Sequence, residues 1–112
     1  MAKTRDDIHR KVIAILVGGD VGMDVSEEDA DTIDGYIDAL VDELGLDATA
    51  YIADANDLEN GMFMTFCKLV ANDAADEFGG KTDETKAAQL RNRMRVLVRQ
   101  APGYGPQQVA YY

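Results

Sequence analysis

Residues 58–80 read Leu-Glu-Asn-Gly-Met-Phe-Met-Thr-Phe-Cys-Lys-Leu-Val-Ala-Asn-Asp-Ala-Ala-Asp-Glu-Phe-Gly-Gly, the most hydrophobic stretch of the chain. Met62, Phe63, Phe66, Leu69, Val70, Ala74 and Phe78 recur at three- and four-residue intervals, the period of a helix with one buried face. Gly79-Gly80 then ends the helix. Such a helix needs apolar partners, and three other segments carry matching stripes. Ser26, followed by Glu27, Glu28 and Asp29, opens a helix whose Ala30, Ile33, Ile37, Leu40, Val41 and Leu44 share one face, with Gly45 as the expected C-cap. Upstream, Thr4 and Asp7 have capping-box spacing ahead of Ile8, Val12, Ile15 and Leu16, and Gly18-Gly19 stops that helix. Downstream, Thr82 or Asp83 starts a helix bearing Ala87, Leu90, Met94, Leu97 and Val98, which Pro102 terminates. Between the second and third helices, Thr49, Tyr51 and Ile52 predict a short extended link, with Asp54 or Asp57 capping the third helix. The expected fold is all-α: a small four-helix bundle over residues 1–101 and an extended C-terminal tail over 102–112.

A chain of 112 residues that is 46% hydrophobic builds one core without a disulfide or a structural metal. Its single cysteine excludes an internal disulfide framework and any multi-cysteine zinc site. No run approaches the roughly 18 apolar residues of a membrane span. The opening Met-Ala-Lys-Thr-Arg-Asp-Asp does not read as a signal peptide, so a protein made and kept in the cytosol, or packaged from it, is expected. The net charge of −10 is unevenly spread. Residues 20–80 hold 17 acids against one cation, Lys68. Residues 81–100 hold Lys81, Lys86, Arg91, Arg93, Arg95 and Arg99 against Asp83 and Glu84, and the first 19 residues are also net basic. An acidic middle between basic ends lets copies of one chain complement each other head to tail. It equally describes a soluble acidic surface.

Chemical motifs are sparse. Asp29, Asp31, Asp34 and Gly35 resemble a calcium loop, but counting from Asp29 puts Ile33 at position 5, Gly35 at 7 and Leu40 at 12, so the register fails. Gly18-Gly19-Asp20-Val21-Gly22 lacks the Lys-Ser/Thr ending and the preceding strand of a phosphate loop. His9, the sole histidine, is expected at the surface of the first helix, and Cys67 in the core or between helices. No catalytic constellation, metal set or cofactor motif emerges, and the chain is read as a non-enzyme. Asp34, Asp38 and Asp42 form a ladder of like charges that needs either solvent or a basic partner. Arg91, Arg95 and Arg99 flank the fourth helix and are expected to pair with the protein's own acids, within one subunit or between subunits. The uncharged tail carries Tyr104, Val109, Tyr111 and Tyr112, which read as anchors for docking on a neighbour.

The second half of the chain carries a resemblance. Tyr51-Ile52-Ala53-Asp54, the helix from Leu58 to Phe78 ending in Ala75-Asp76-Glu77-Phe78-Gly79, the Ala/Arg-rich helix and the Tyr-ending tail together resemble the head-to-tail adaptor, or connector, proteins of tailed bacteriophages and gene-transfer particles. An acidic helix like Asp31–Leu44 precedes an extended link in that family. The resemblance implies a structural virion protein at the head-to-tail interface, made in the host cytoplasm. It implies a ring of copies, commonly twelve, beneath the portal protein, extending the DNA channel and docking tail or nozzle proteins. The C-terminal tail would reach the portal, DNA would pass without specific binding, and Asp34, Asp38 and Asp42 are the candidates for facing the channel. The alternative from a different class is a small acidic regulator or inhibitor that binds a basic partner, motivated by the acidic middle segment.

Overall fold

The computed structural model describes residues 3–18 and 25–100. Four helices carry the fold: α1 (Arg5–Val17), α2 (Glu27–Leu46), α3 (Asn60–Ala74) and α4 (Glu84–Gln100). Single turns of 3₁₀ helix lie at Ala55–Asp57 and at Ala75–Phe78, the latter continuing α3. α3 is the central element, packing against α1, α2 and α4. Its Met62, Phe66, Leu69 and Val70 are essentially without solvent exposure, and they meet Ile8 and Val12 of α1, Ile33, Ile37, Leu40 and Leu44 of α2 and Met94 of α4 in one core. Each fully buried side chain of this size contributes about 1.5–3 kcal/mol in transfer from water. The structure is thus the all-α four-helix bundle that the apolar stripes predict.

Local chemistry sets the helix ends. Thr4 and Asp7 form the reciprocal capping box: the Thr4 hydroxyl accepts from the Asp7 N–H, and the Asp7 carboxylate accepts from the Thr4 N–H at 3.0 Å. Ser26 Oγ accepts from the Asp29 N–H at 3.1 Å. Gly18, at φ 73°, closes α1 in the left-handed conformation. Of the two starts expected for α4, Asp83 is the cap, its carboxylate accepting from the Lys86 N–H at 3.1 Å. Asp83 is itself fixed by the buried Asn72 of α3, which accepts from its N–H at 3.0 Å and donates to its carbonyl at 3.1 Å. Pro102 lies outside the described residues.

Three expectations are corrected. Gly45 does not end α2, which runs on to Leu46. The left-handed position falls on Ala48, at φ 60°. Its N–H reaches the Gly45 carbonyl and that of Thr49 the Leu44 carbonyl, while the Asp47 carboxylate accepts from the Thr49 N–H at 3.0 Å. This is a Schellman stop with an Ala rather than a Gly in the left-handed position. Asp54 caps the 3₁₀ turn, accepting from Asn56 N–H at 2.9 Å, whereas α3 begins after Glu59 with no side-chain cap. The link before α3 has one antiparallel bridge, Lys3 with Leu58, which ties the entry of α1 to that of α3. On α1, Ile13 is buried in place of Ile15, which is 37% exposed. The helix lies in the angle between α2 and α3, so Ile8, Val12 and Ile13 fill the wedge and Ile15 turns outward.

Two substitutions test this account. Replacing Asn72 with Ala leaves the Asp83 backbone without its two side-chain partners and should cost about 2 kcal/mol in urea unfolding. Ala48→Gly removes left-handed strain of about 1–2 kcal/mol, partly offset by the extra freedom of an unfolded glycine. It should raise the midpoint of thermal unfolding; a lowered midpoint would contradict the assigned stop.

Candidate functional site

The polar features gather along the flanks of α2. At its first half, Arg5 of α1 spans two carboxylates one helical turn apart: Nη1 donates to Asp34 Oδ1 at 3.0 Å and Nη2 to Asp38 Oδ1 at 2.6 Å. One turn further along α1, His9 Nε2 lies 2.7 Å from the same Asp34 oxygen. His9 is therefore not a surface residue: it is 7% exposed, filling the α1–α2 contact, because Asp34 offers a partner that lets an imidazole be buried. Burial pushes the Asp34 carboxyl upward, but the bonds to His9 and Arg5 outweigh it and hold the group below its ordinary value. Two of the three acids proposed to face a channel are thus engaged within the chain. Asp42 is exposed and makes no ion pair with a described residue.

At the other end of α2, Arg91 of α4 donates to Asp47 Oδ2 at 2.9 Å and to Glu43 Oε1. Its fork is spent inside its own subunit, so the expectation of inter-subunit pairing does not describe Arg91. Beneath this pair, burial and then Glu43 push the Asp73 carboxyl up, and Arg91 partly offsets them. Arg95 Nη1 donates to Asn92 of its own helix at 2.9 Å. Arg93 and Arg99 are exposed, with no ion pair to a described residue. The arginine set therefore divides into the seam-closing Arg91, the half-buried Arg95 bonded within its own helix, and the exposed Arg93 and Arg99.

Two surface features lie apart from these seams. Beside the end of α2, Val41, Gly45, Leu46, Tyr51 and Ile52 line an open, mainly apolar trough with Asp42 on its edge. Leu46 is 89% exposed and Tyr51 70%. Between α1 and the end of α3, a smaller groove of mixed polarity is lined by Ile15 and Leu16, by the buried Asn72, and by Lys68, Lys81 and Lys86. Cys67 is fully buried, and burial pushes its thiol up to about 12, so it is protonated at neutral pH and packs as an apolar residue. Among the described residues no three potential metal ligands converge, and no helix is long and apolar enough to cross a membrane. Tyr104, Val109, Tyr111 and Tyr112 lie outside the described residues, as does most of the glycine-rich turn after Gly18.

Sequence reasoning missed Arg5 as the hub of the α1–α2 seam. The signal was present: Arg5 and His9 are four residues apart on α1, and Asp34 and Asp38 four apart on α2, so each pair shares a helix face. The tertiary facing of the two pairs is what the sequence does not carry. In comparisons with known proteins, no family model, curated protein or solved structure matches the chain.

The seam makes a pH-dependent prediction. The folded-state pKa of Asp34 is depressed, so its contribution is present above the ordinary carboxylate range, about 3.9, and is lost as pH falls through the lower folded value. Asp34→Asn should lower stability at neutral pH by about 1 kcal/mol, a figure already reduced for its solvent exposure. The gap from wild type, measured by urea unfolding, should narrow on acidification to pH values below that range; a constant gap would show that Asp34 acts only through packing.

Proposed function

We propose that this chain is a structural adaptor at the head-to-tail interface of a tailed-phage or gene-transfer particle, forming a ring of copies beneath the portal. The observation that carries the reading is the division of charge on a fixed helical frame. Among the described residues, the ion pairs draw on Arg5, His9 and Arg91, while Lys68, Lys81, Lys86, Arg93 and Arg99 face solvent outside them. Acids on α2 and its following link are likewise in excess of the cations that meet them. A molecule with unspent charge of both signs on different faces is suited to neighbours of its own kind. The resemblance of residues 51–79 and of the tail to the adaptor family supplies the biological setting. In that setting an acidic wall suits a DNA channel, since it offers no cations to exchange for the counterions of the passing duplex.

The roles follow from the parts. The bundle is the ring's building block, and the tail with Tyr104, Val109, Tyr111 and Tyr112 is the segment that reaches the portal; Asp34 and Asp38, held by Arg5, are not assigned to the channel wall. No catalytic role is assigned to any residue. The competing reading, an acidic regulator of a basic protein, predicts a monomer or dimer indifferent to portal rings.

Absolute mass by light scattering behind a sizing column separates the two. Mixed with a portal ring, the full-length protein should co-elute in many copies, and deletion of residues 103–112 should abolish co-elution while leaving helicity unchanged. A monomer or dimer that ignores the portal and instead binds a basic nucleic-acid enzyme would overturn the adaptor reading in favour of the regulator.

A further inference from the structure

The lysine-lined groove and the exposed end of α2 are complementary in charge. Lys68 comes from α3, Lys81 from the turn after it and Lys86 from the first turn of α4; all three are exposed and none makes an ion pair with a described residue. They share the groove with Ile15 and Leu16 of α1 and with the buried Ala71, Asn72 and Ala75. This convergence is notable in a chain of net charge −10, where cations near carboxylates are readily paired. The end of α2 has the opposite construction. Among the described residues Leu46 is the most exposed large apolar side chain, at 89%, with the unpaired Asp42 one turn before it, while Asp47 directly after it is held by Arg91.

One copy does not satisfy itself. At about 100° per residue, Lys68, Ala71, Asn72 and Ala75 share the flank of α3 that borders the groove, and Asp73 falls well away from it. It is Asp73 that feels Glu43 and Arg91, so the end of α2 packs towards the other flank of α3. The groove's lining accordingly includes no residue of α2.

We propose that the groove formed by Ile15, Leu16, Lys68, Lys81 and Lys86 receives the Leu46 end of α2 from a second copy of this chain, with Leu46 beside Ile15 and Leu16 and Asp42 against the lysines. The contact is heterologous, joining two different patches, so its repetition generates a ring or an open helix of copies rather than a closed pair. This deepens the ring reading above by naming the surfaces that meet.

Charge exchange tests it. One variant carries Lys68→Glu, Lys81→Glu and Lys86→Glu; the other carries Asp42→Lys and Leu46→Lys. All five positions are exposed, and far-UV circular dichroism checks that each variant keeps its helices. At millimolar concentration the wild type should gain mass with concentration. Carbodiimide coupling of a mixture of light and isotope-labelled protein should join Lys68, Lys81 or Lys86 of one copy to Asp42 of another. Each variant alone should associate about tenfold more weakly, as loss of a few exposed charge pairs implies. Mixing the two should restore association, because each reversed patch then meets its complement on the other variant. Wild type without inter-copy coupling, or association indifferent to the reversals, overturns the proposed contact. Co-elution of the wild type with a portal ring is read separately, so a failed contact and a failed adaptor reading give different results.

Discussion

A helix that carries both a full core stripe and a ladder of aspartates needs solvent or cations along its flanks, and in this protein Arg5 and Arg91 are the cations, with Asp42 left to solvent. Like charges four residues apart oppose a helix by a few tenths of a kcal/mol each. Arg5 relieves that repulsion at Asp34 and Asp38, and Arg91 does the same at Glu43 and Asp47. The two contacts also locate the other helices. Arg5 fixes the entry of α1 against the middle of α2, and Arg91 fixes the middle of α4 against its end. α3 is then held by apolar burial on the sides these seams leave open, and the Asn72–Asp83 clamp sets where α4 begins. The exposed pairs are individually weak, so the seams decide which faces meet while Phe66, Leu69, Ile37 and Met94 supply most of the stabilisation.

What the sequence disclosed was mostly what short-range physics decides. The stripes of α2 and α3 were legible because burial against one core imposes the helical period directly on the residues. Thr4, Ser26 and Asp83 were legible because capping needs only a side-chain oxygen and N–H groups two or three residues on. The stop of α2 was not, since Gly45 is a permissible cap but Asp47 and Ala48 close the turn one step later, where Leu44 keeps its place in the core. The burial of His9 was not legible either. It depends on Asp34, 25 residues away, and on an angle between helices that no local pattern encodes. The same angle buries Ile13 and turns Ile15 outward. Arg5 fell into the same class: a cation in a basic segment until the facing helix is known.

The charge left over after the seams close is where the fold passes into function. A bundle can leave Lys68, Lys81 and Lys86 around one groove without great cost, because exposed ammonium groups remain hydrated. It can leave Leu46 exposed singly, as soluble proteins commonly do. Each feature alone is ordinary. Their placement on different flanks of one frame, lysines beside Ile15 and Leu16 on one and Asp42 beside Leu46 on the other, is what the proposed contact between copies would use.

Weak complementarity of this kind also suits the adaptor reading on energetic grounds. A contact of a few screened charge pairs and one leucine holds two free copies only loosely, since association must first overcome several kcal/mol of lost translational and rotational freedom. Under the proposed adaptor role, copies anchored side by side on a portal would already have lost that freedom, and the same contact would act at a high effective concentration. Closing a ring adds one further contact with no further copy to immobilise, which makes the last step the most favourable. A strong interface would assemble rings or filaments wherever the chain is made. An interface of weak, charge-steered parts would keep copies dispersed until a template gathers them, and this is how the proposed contact and the proposed adaptor role fit together.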